Sequence, residues 1–196
     1  MKKILFALCL FVASFSVFAA LTEAQISTLT PIVMAQPQLV EAANIGDNAA
    51  IAKWLNTADP AFYAWKTYLA TQDIYDNITW ANFTPQDSPD GTQAWANRSL
   101  ACQGKQFNVQ TLLTGRESIN PSKQKIRDGL QDALTAIPSG ANGASKGGGW
   151  SSVVAVMYRN ATRAEKHLST GTGTTASPAI MVFEGFVTPQ EASLMR

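Results

Sequence analysis

Apolar positions recur at helical spacing along most of the chain. Residues 22–35 and 38–44 read as two short helices interrupted by Pro37. Asp47 stands where a cap belongs, and the spacing predicts a helix over 48–56 with Ile51, Trp54 and Leu55 facing inward. Asp59-Pro60 repeats the start signal, a capping carboxylate and then proline at the first helical position. Phe62, Trp65 and Leu69 follow at spacings of three and four, and predict one more helical stripe.

A loop with Pro85 and Pro89 covers 79–89, and Asp90 precedes Gln93 by three, a capping-box arrangement. The helix it predicts runs from 91 towards 114, with Trp95, Cys102, Val109 and Leu113 on one side and Gly104 weakening its centre. Asn120-Pro121 opens the clearest helix, where Ile126, Leu130, Leu134 and Ile137 are spaced four, four and three before Pro138-Ser139-Gly140 stops it. The stretch SGANGASKGGG, 139–149, reads as a flexible loop. A last long helix is expected over about 150–169, with Trp150, Val154, Met157, Ala161, Ala164 and Leu168 forming a continuous seam. Beyond it, AIMVFEGFV at 179–187 reads as extended, and a short helix follows at 188–195. The pattern predicts an all-α fold: a single compact domain of about six or seven helices with a short extended C-terminal segment.

The first nineteen residues stand apart from this domain. Lys2 and Lys3 precede an apolar run from Ile4 to Phe15 broken only by Ser14, and Val17-Phe18-Ala19 suits a signal peptidase. A secretory signal peptide over 1–19, cleaved after Ala19, is expected, with 20–196 as the helical domain. The run is short for a bilayer span, and no other run is long enough, so no membrane contact is expected once the leader is gone. Removing the two lysines leaves 13 basic against 14 acidic residues, a net charge of −1. That balance argues against nucleic-acid binding, which needs a basic surface. Cys102 is the one cysteine left, so no internal disulfide forms, and the thiol is expected to be buried.

The candidate chemistry is thin. Gly171-Thr-Gly173-Thr-Thr-Ala176 matches the written form of a dinucleotide fingerprint, G-x-G-x-x-A. Such a loop must follow a strand and open a helix so that amides point at the pyrophosphate. Here the glycines follow a predicted helix, and Gly171 sits where a left-handed C-terminal cap belongs. His167 is the only histidine, and apart from Glu165 no cysteine or carboxylate stands near it at ligand spacing. Asp73/Asp76 and Asp128/Asp132 read as solvated helix faces, and DSPDG at 87–91 lacks the alternating oxygen ligands of a calcium loop. No metal, no cofactor and no catalytic residue is expected. Five tryptophans remain to be explained: Trp54, Trp65, Trp80, Trp95 and Trp150. Core packing accounts for most of them. Trp80 and Trp95 are the candidates for an exposed interface pair. Arg159, Arg163 and Lys166 load the end of the last helix with positive charge; a solvated face is the plain reading, and a surface for an anionic partner the sharper one.

Three stretches carry a likeness beyond these rules: WLNTADPAFYAWKT (54–67), NRSLACQGKQFNVQTLLTGRESINPSKQKIRDGLQDAL (97–134) and RNATRAEKHLSTGTGTTASPAIMVFEG (159–185). Together they resemble a family of small, uncharacterised proteins from tailed bacteriophages and prophages, encoded among virion assembly genes. The likeness runs from about Leu21 to Arg196. It implies a virion structural or assembly protein whose partners are other virion subunits or itself, as a homo-oligomer, and it transfers no catalytic or binding residue. The leader departs from it, since the family's members begin close to LTEAQ. The leader supports two alternatives: an exported, periplasmic protein that binds a ligand or an envelope partner, and a phage-encoded envelope hydrolase. The hydrolase lacks an acid–base pair in a suitable setting.

Overall fold

A computed structural model describes residues 20–83, 100–138 and 145–196. The expected leader, Trp95, the 87–91 turn and the start of the helix expected from 91 lie outside the described residues, as does 139–144 of the glycine-rich loop. The first three helices follow their sequence signals closely. Helix α1, Glu23–Met34, opens with a capping box in which Thr22 Oγ1 accepts the Gln25 amide at 3.3 Å and Gln25 Oε1 accepts the Thr22 amide at 2.9 Å. Helix α2, Pro37–Ile45, starts on its proline and ends at Gly46, whose φ of 77° is the left-handed stop. Helix α3, Asn48–Asn56, is capped by Asp47 Oδ1 on the Ala50 amide at 3.0 Å. Leu29, Val33, Leu39, Ile51 and Leu55 bury against one another in a first core.

The chain does not turn helical again after Thr57. Ala58–Trp65 is a strand, β1, paired antiparallel with a later strand, β4, Tyr158–Thr162, through Tyr63↔Asn160, Ala64↔Arg159 and Trp65↔Tyr158. The all-α expectation is therefore corrected. Among the described residues, nine helices share the fold with six strands in three two-stranded sheets. Two local reasons explain the miss. Asp59 closes a short turn, accepting the Ala61 amide at 2.9 Å, and starts no helix. Phe62, Tyr63 and Trp65 are strand-favouring aromatics, and Tyr158 makes edge-to-face contacts with Tyr63 and Trp65 at 5.5 and 6.1 Å between ring centres. The seam expected over 150–169 is likewise broken into α7 (Trp150–Val156), β4 and α8 (Arg163–His167). A second capping box, Thr162 with Glu165, restarts the helix inside what the spacing alone made continuous.

The middle of the chain builds a second core. Strand β2 (Leu69–Ala70) pairs with β3 (Ser118–Ile119), and α4 (Thr71–Asn77) leads into a 3-10 turn at Trp80–Phe83. Helix α5 (Leu100–Leu113) then packs on α6 (Gln124–Leu134), and α4 and α6 pack against α7. Ile74, Val109, Leu113, Leu130, Leu134, Ile137, Val153 and Met157 are buried there, together with the Cys102 thiol. Between the two cores runs β1. Its Ala64 pairs with β4, while the amides of Tyr63 and Trp65 turn the other way to the carbonyls of Gly173 and Ala179, at 2.7 and 2.9 Å. The C-terminal arm thus lies along the free side of β1. It continues as β6, Ile180–Met181, which folds back antiparallel on β5, Ser169–Thr170. Helix α9, Pro189–Ala192, closes the fold against α3.

Candidate functional site

The glycine motif has a packing role. Helix α8 ends at His167 with Leu168 as its cap, and β5 follows directly, so Gly171 (φ 116°) caps no helix. Gly173 is the position that demands glycine. Its φ is 68°, and a Cβ there would collide with the Phe62 ring. The aromatic ring of β1 presses the arm's backbone into place.

The cations near α8 are bound internally. Arg159 Nη1 and Nη2 reach the two carboxylate oxygens of Glu165 at 2.8 and 2.7 Å, in a fork-to-fork pair. Glu165 is 2 % exposed and also accepts the Thr162 amide at 2.8 Å. Burial works against its charge, but the Arg159 hydrogen bonds and the Thr162 amide outweigh it, and its pKa falls below the ordinary value. Its hydrogen bonds to Glu165 outweigh burial and raise the Arg159 pKa in turn. Arg159 Nη2 further reaches Glu184 at 3.2 Å, and Glu184 also accepts the Thr67 hydroxyl. Arg163 lies 4.7 Å over the Trp54 ring and donates to the Trp54 carbonyl at 3.2 Å. Lys166 holds Asp59 at 2.7 Å and sits 5.6 Å from the Phe62 ring centre. The Lys166 hydrogen bond, then the Ala61 amide, lower the Asp59 pKa. His167 beside them is held below its ordinary pKa by partial burial and by Lys166.

Of the two tryptophans proposed for an interface, Trp80 is half-buried. It stacks on Tyr75 at 5.7 Å, and its indole nitrogen donates to the Tyr75 carbonyl at 3.0 Å. Trp95 lies outside the described residues. The structure brings Arg163 and Lys166 together beside Trp54 and Asp59, turns Arg159 to Glu165 and Glu184 instead, and places Trp80 in the second core.

This ionic framework fixes a segment that presents apolar side chains outward. Along 179–187 burial alternates with strand period: Ala179, Met181, Phe183 and Val187 turn in, and Ile180, Val182 and Phe186 turn out, at 45, 67 and 56 % exposure. The segment is anchored along its length. Arg159 holds Glu184, β5 holds Ile180 and Met181, and Asn56 makes a two-way amide clamp on Val187. In that clamp Asn56 Nδ2 donates to the Val187 carbonyl, and the Val187 amide donates to Asn56 Oδ1, both at 2.8 Å. Exposed valine, isoleucine and phenylalanine on a fixed backbone suit contact with another protein. The sequence marked 179–187 as extended but missed Ile180 and Val182 as outward residues and Asn56, Glu165 and Glu184 as anchors. Residues 179–183 are apolar throughout, so no sequence pattern marked the first pair as outward. The T-x-x-E spacing at 162–165 was the signal for Glu165.

Among the described residues no group of three or more histidine, cysteine or acidic side chains is placed to hold a metal ion, and no helix is long and apolar enough to cross a membrane. Comparison with protein-family models, with curated proteins and with solved structures finds no match for the chain.

Proposed function

We propose that the protein is a structural or assembly component of a tailed-phage or prophage virion, working through protein–protein contacts and without catalysis. Its partners are other virion subunits or further copies of itself. The observation that carries this reading is the anchored segment Ile180–Phe186, which holds large apolar side chains in solvent. A residue such as Val182 contributes nothing to the monomer's core from that position. Buried by a partner, it contributes about 1.5–3 kcal/mol.

The test combines location with disruption. Proteomics of purified particles and assembly intermediates should find the chain. Val182→Lys should leave the urea midpoint of the isolated protein within error and reduce its incorporation. Absence from both particles and intermediates overturns the reading, and so does full incorporation of the lysine variant. The leader pattern favours a second reading, an exported protein with a periplasmic ligand or envelope partner. An intact mass showing cleavage after Ala19 in periplasmic material supports that one.

A further inference from the structure

Arg127 is a cation in an unusual setting. It lies in the first turn of α6 and is 8 % exposed, and among the described residues no carboxylate stands within ion-pair distance of it. Its guanidinium stacks 4.2 Å over the Trp65 ring. Nη1 donates to the Pro121 carbonyl at 2.6 Å, and Nη2 donates to Gln124 Oε1. Both acceptors are neutral. The nearest acid, Asp128, is exposed and accepts from Gln124 Nε2 at 2.5 Å. Buried arginines are ordinarily paired, because a guanidinium does not shed its proton to escape burial. Two neutral acceptors and a ring face satisfy part of its hydrogen-bonding capacity, and Asp128 offsets its charge only from a distance, without an ion pair.

The same residue lines a cleft of about 600 Å³ between α6, α7 and the Gly/Thr arm. Trp65 and Trp150 give that cleft flat apolar walls, and Gln131, Thr175 and Ser177 add polar groups to its lining. The volume is in the range of small-ligand sites, which combine apolar walls with a few polar groups. Arg127 is the only cation among the lining residues, so the cleft complements a single negative charge. The N–H groups that Pro121 and Gln124 leave over suit a carboxylate oxygen.

We propose that this cleft is a binding site for a small aromatic monocarboxylate, with the carboxylate on Arg127 and the ring between Trp150 and the 175–178 arm. The cleft meets the outward segment at Ile180 but does not include Val182, and it does not depend on the assembly role.

The test uses the full chain and fluorine NMR with 4-fluorobenzoate, against the uncharged 4-fluorobenzamide of the same shape. The acid should bind with a dissociation constant of about 1 mM or tighter, and the amide at least tenfold more weakly. Arg127→Gln should cost roughly tenfold or more in affinity, the loss of a charge-assisted hydrogen bond. Because that residue is buried, a second variant guards against misfolding. Ala176 is exposed on the arm, and Ala176→Trp should fill the cleft and abolish binding with the far-UV circular dichroism unchanged. Equal binding of acid and amide overturns the proposal. So does displacement of the benzoate by equimolar inorganic phosphate, or undiminished binding to Ala176→Trp. Failure to bind at about 10 mM overturns it too, as does an oligomer that Arg127→Gln dissociates, which would mean that a neighbour's acidic side chain fills the cleft.

Discussion

Replacing Glu165 with glutamine removes one negative charge at almost constant volume. In the native protein that charge is 2 % exposed and is met by Arg159 through both terminal nitrogens, at 2.8 and 2.7 Å. Removing one partner of a fully buried ion pair costs about 3–5 kcal/mol. Here two facts reduce the figure. The Arg159 side chain is 32 % exposed and keeps Glu184 at 3.2 Å. The glutamine oxygen still serves the Thr162 amide or one arginine N–H. What is lost is about one charge-assisted hydrogen bond, so the expected destabilisation is about 2 kcal/mol at pH 7. The assay is the urea midpoint by circular dichroism at several pH values. Glu165 has a folded pKa below its unfolded one. Its contribution is therefore complete above the unfolded value of about 4.3 and fades as pH falls through the folded value. The gap between wild type and E165Q should be constant from pH 7 to about 5 and shrink in more acid solution. A cycle with Arg159→Met should show coupling of at least about 1 kcal/mol. A gap under about 0.5 kcal/mol at pH 7, or one that persists unchanged to pH 3, refutes the account of this pair.

Two further substitutions probe the arm and the C-terminal clamp. Gly173→Ala places a methyl against the Phe62 ring at a φ of 68° and should lose at least about 1–2 kcal/mol, seen as a fall in Tm of several degrees. Asn56→Ala frees both backbone groups of Val187 and should cost about 2 kcal/mol, with amide exchange accelerating at Val187 before the second core is affected.

The sequence was most legible where structure is specified within a few residues. Asp47 caps α3 as its position in the sequence indicates, and α1 and α2 fall close to the spans that spacing predicts, although Pro37 opens α2 and does not merely interrupt it. The same local signs misled at Asp59-Pro60. A capping aspartate and a turn aspartate look alike in sequence, and a partner 100 residues away decides between them. Here Asn160 donates to the carbonyls of Asp59 and Pro60 at 3.2 and 3.0 Å, which holds the turn against β4. Alanines made the seam at 150–169 ambiguous, since Ala161 is fully buried in a strand as readily as in a helix. The cations were visible as a cluster, but their partners were not, because Asp59, Trp54 and Glu184 approach them only in the fold. Arg127 gave no sign at all. Its position on α6 looked like any charged residue of an amphipathic helix, and only the burial of its stacked guanidinium sets it apart.

Glu191 Oε1 accepts the Leu21 amide at 2.6 Å, and the first core joins Leu29 and Val33 to Phe183, Val187, Ala192 and Met195. Segments 170 positions apart are thus sewn into one seam. During synthesis α1, α2 and α3 leave the ribosome long before the residues that cover them exist. Their greasy faces therefore stay uncovered until residues 183–195 have been made and have emerged, so this half of the molecule completes its fold late in synthesis.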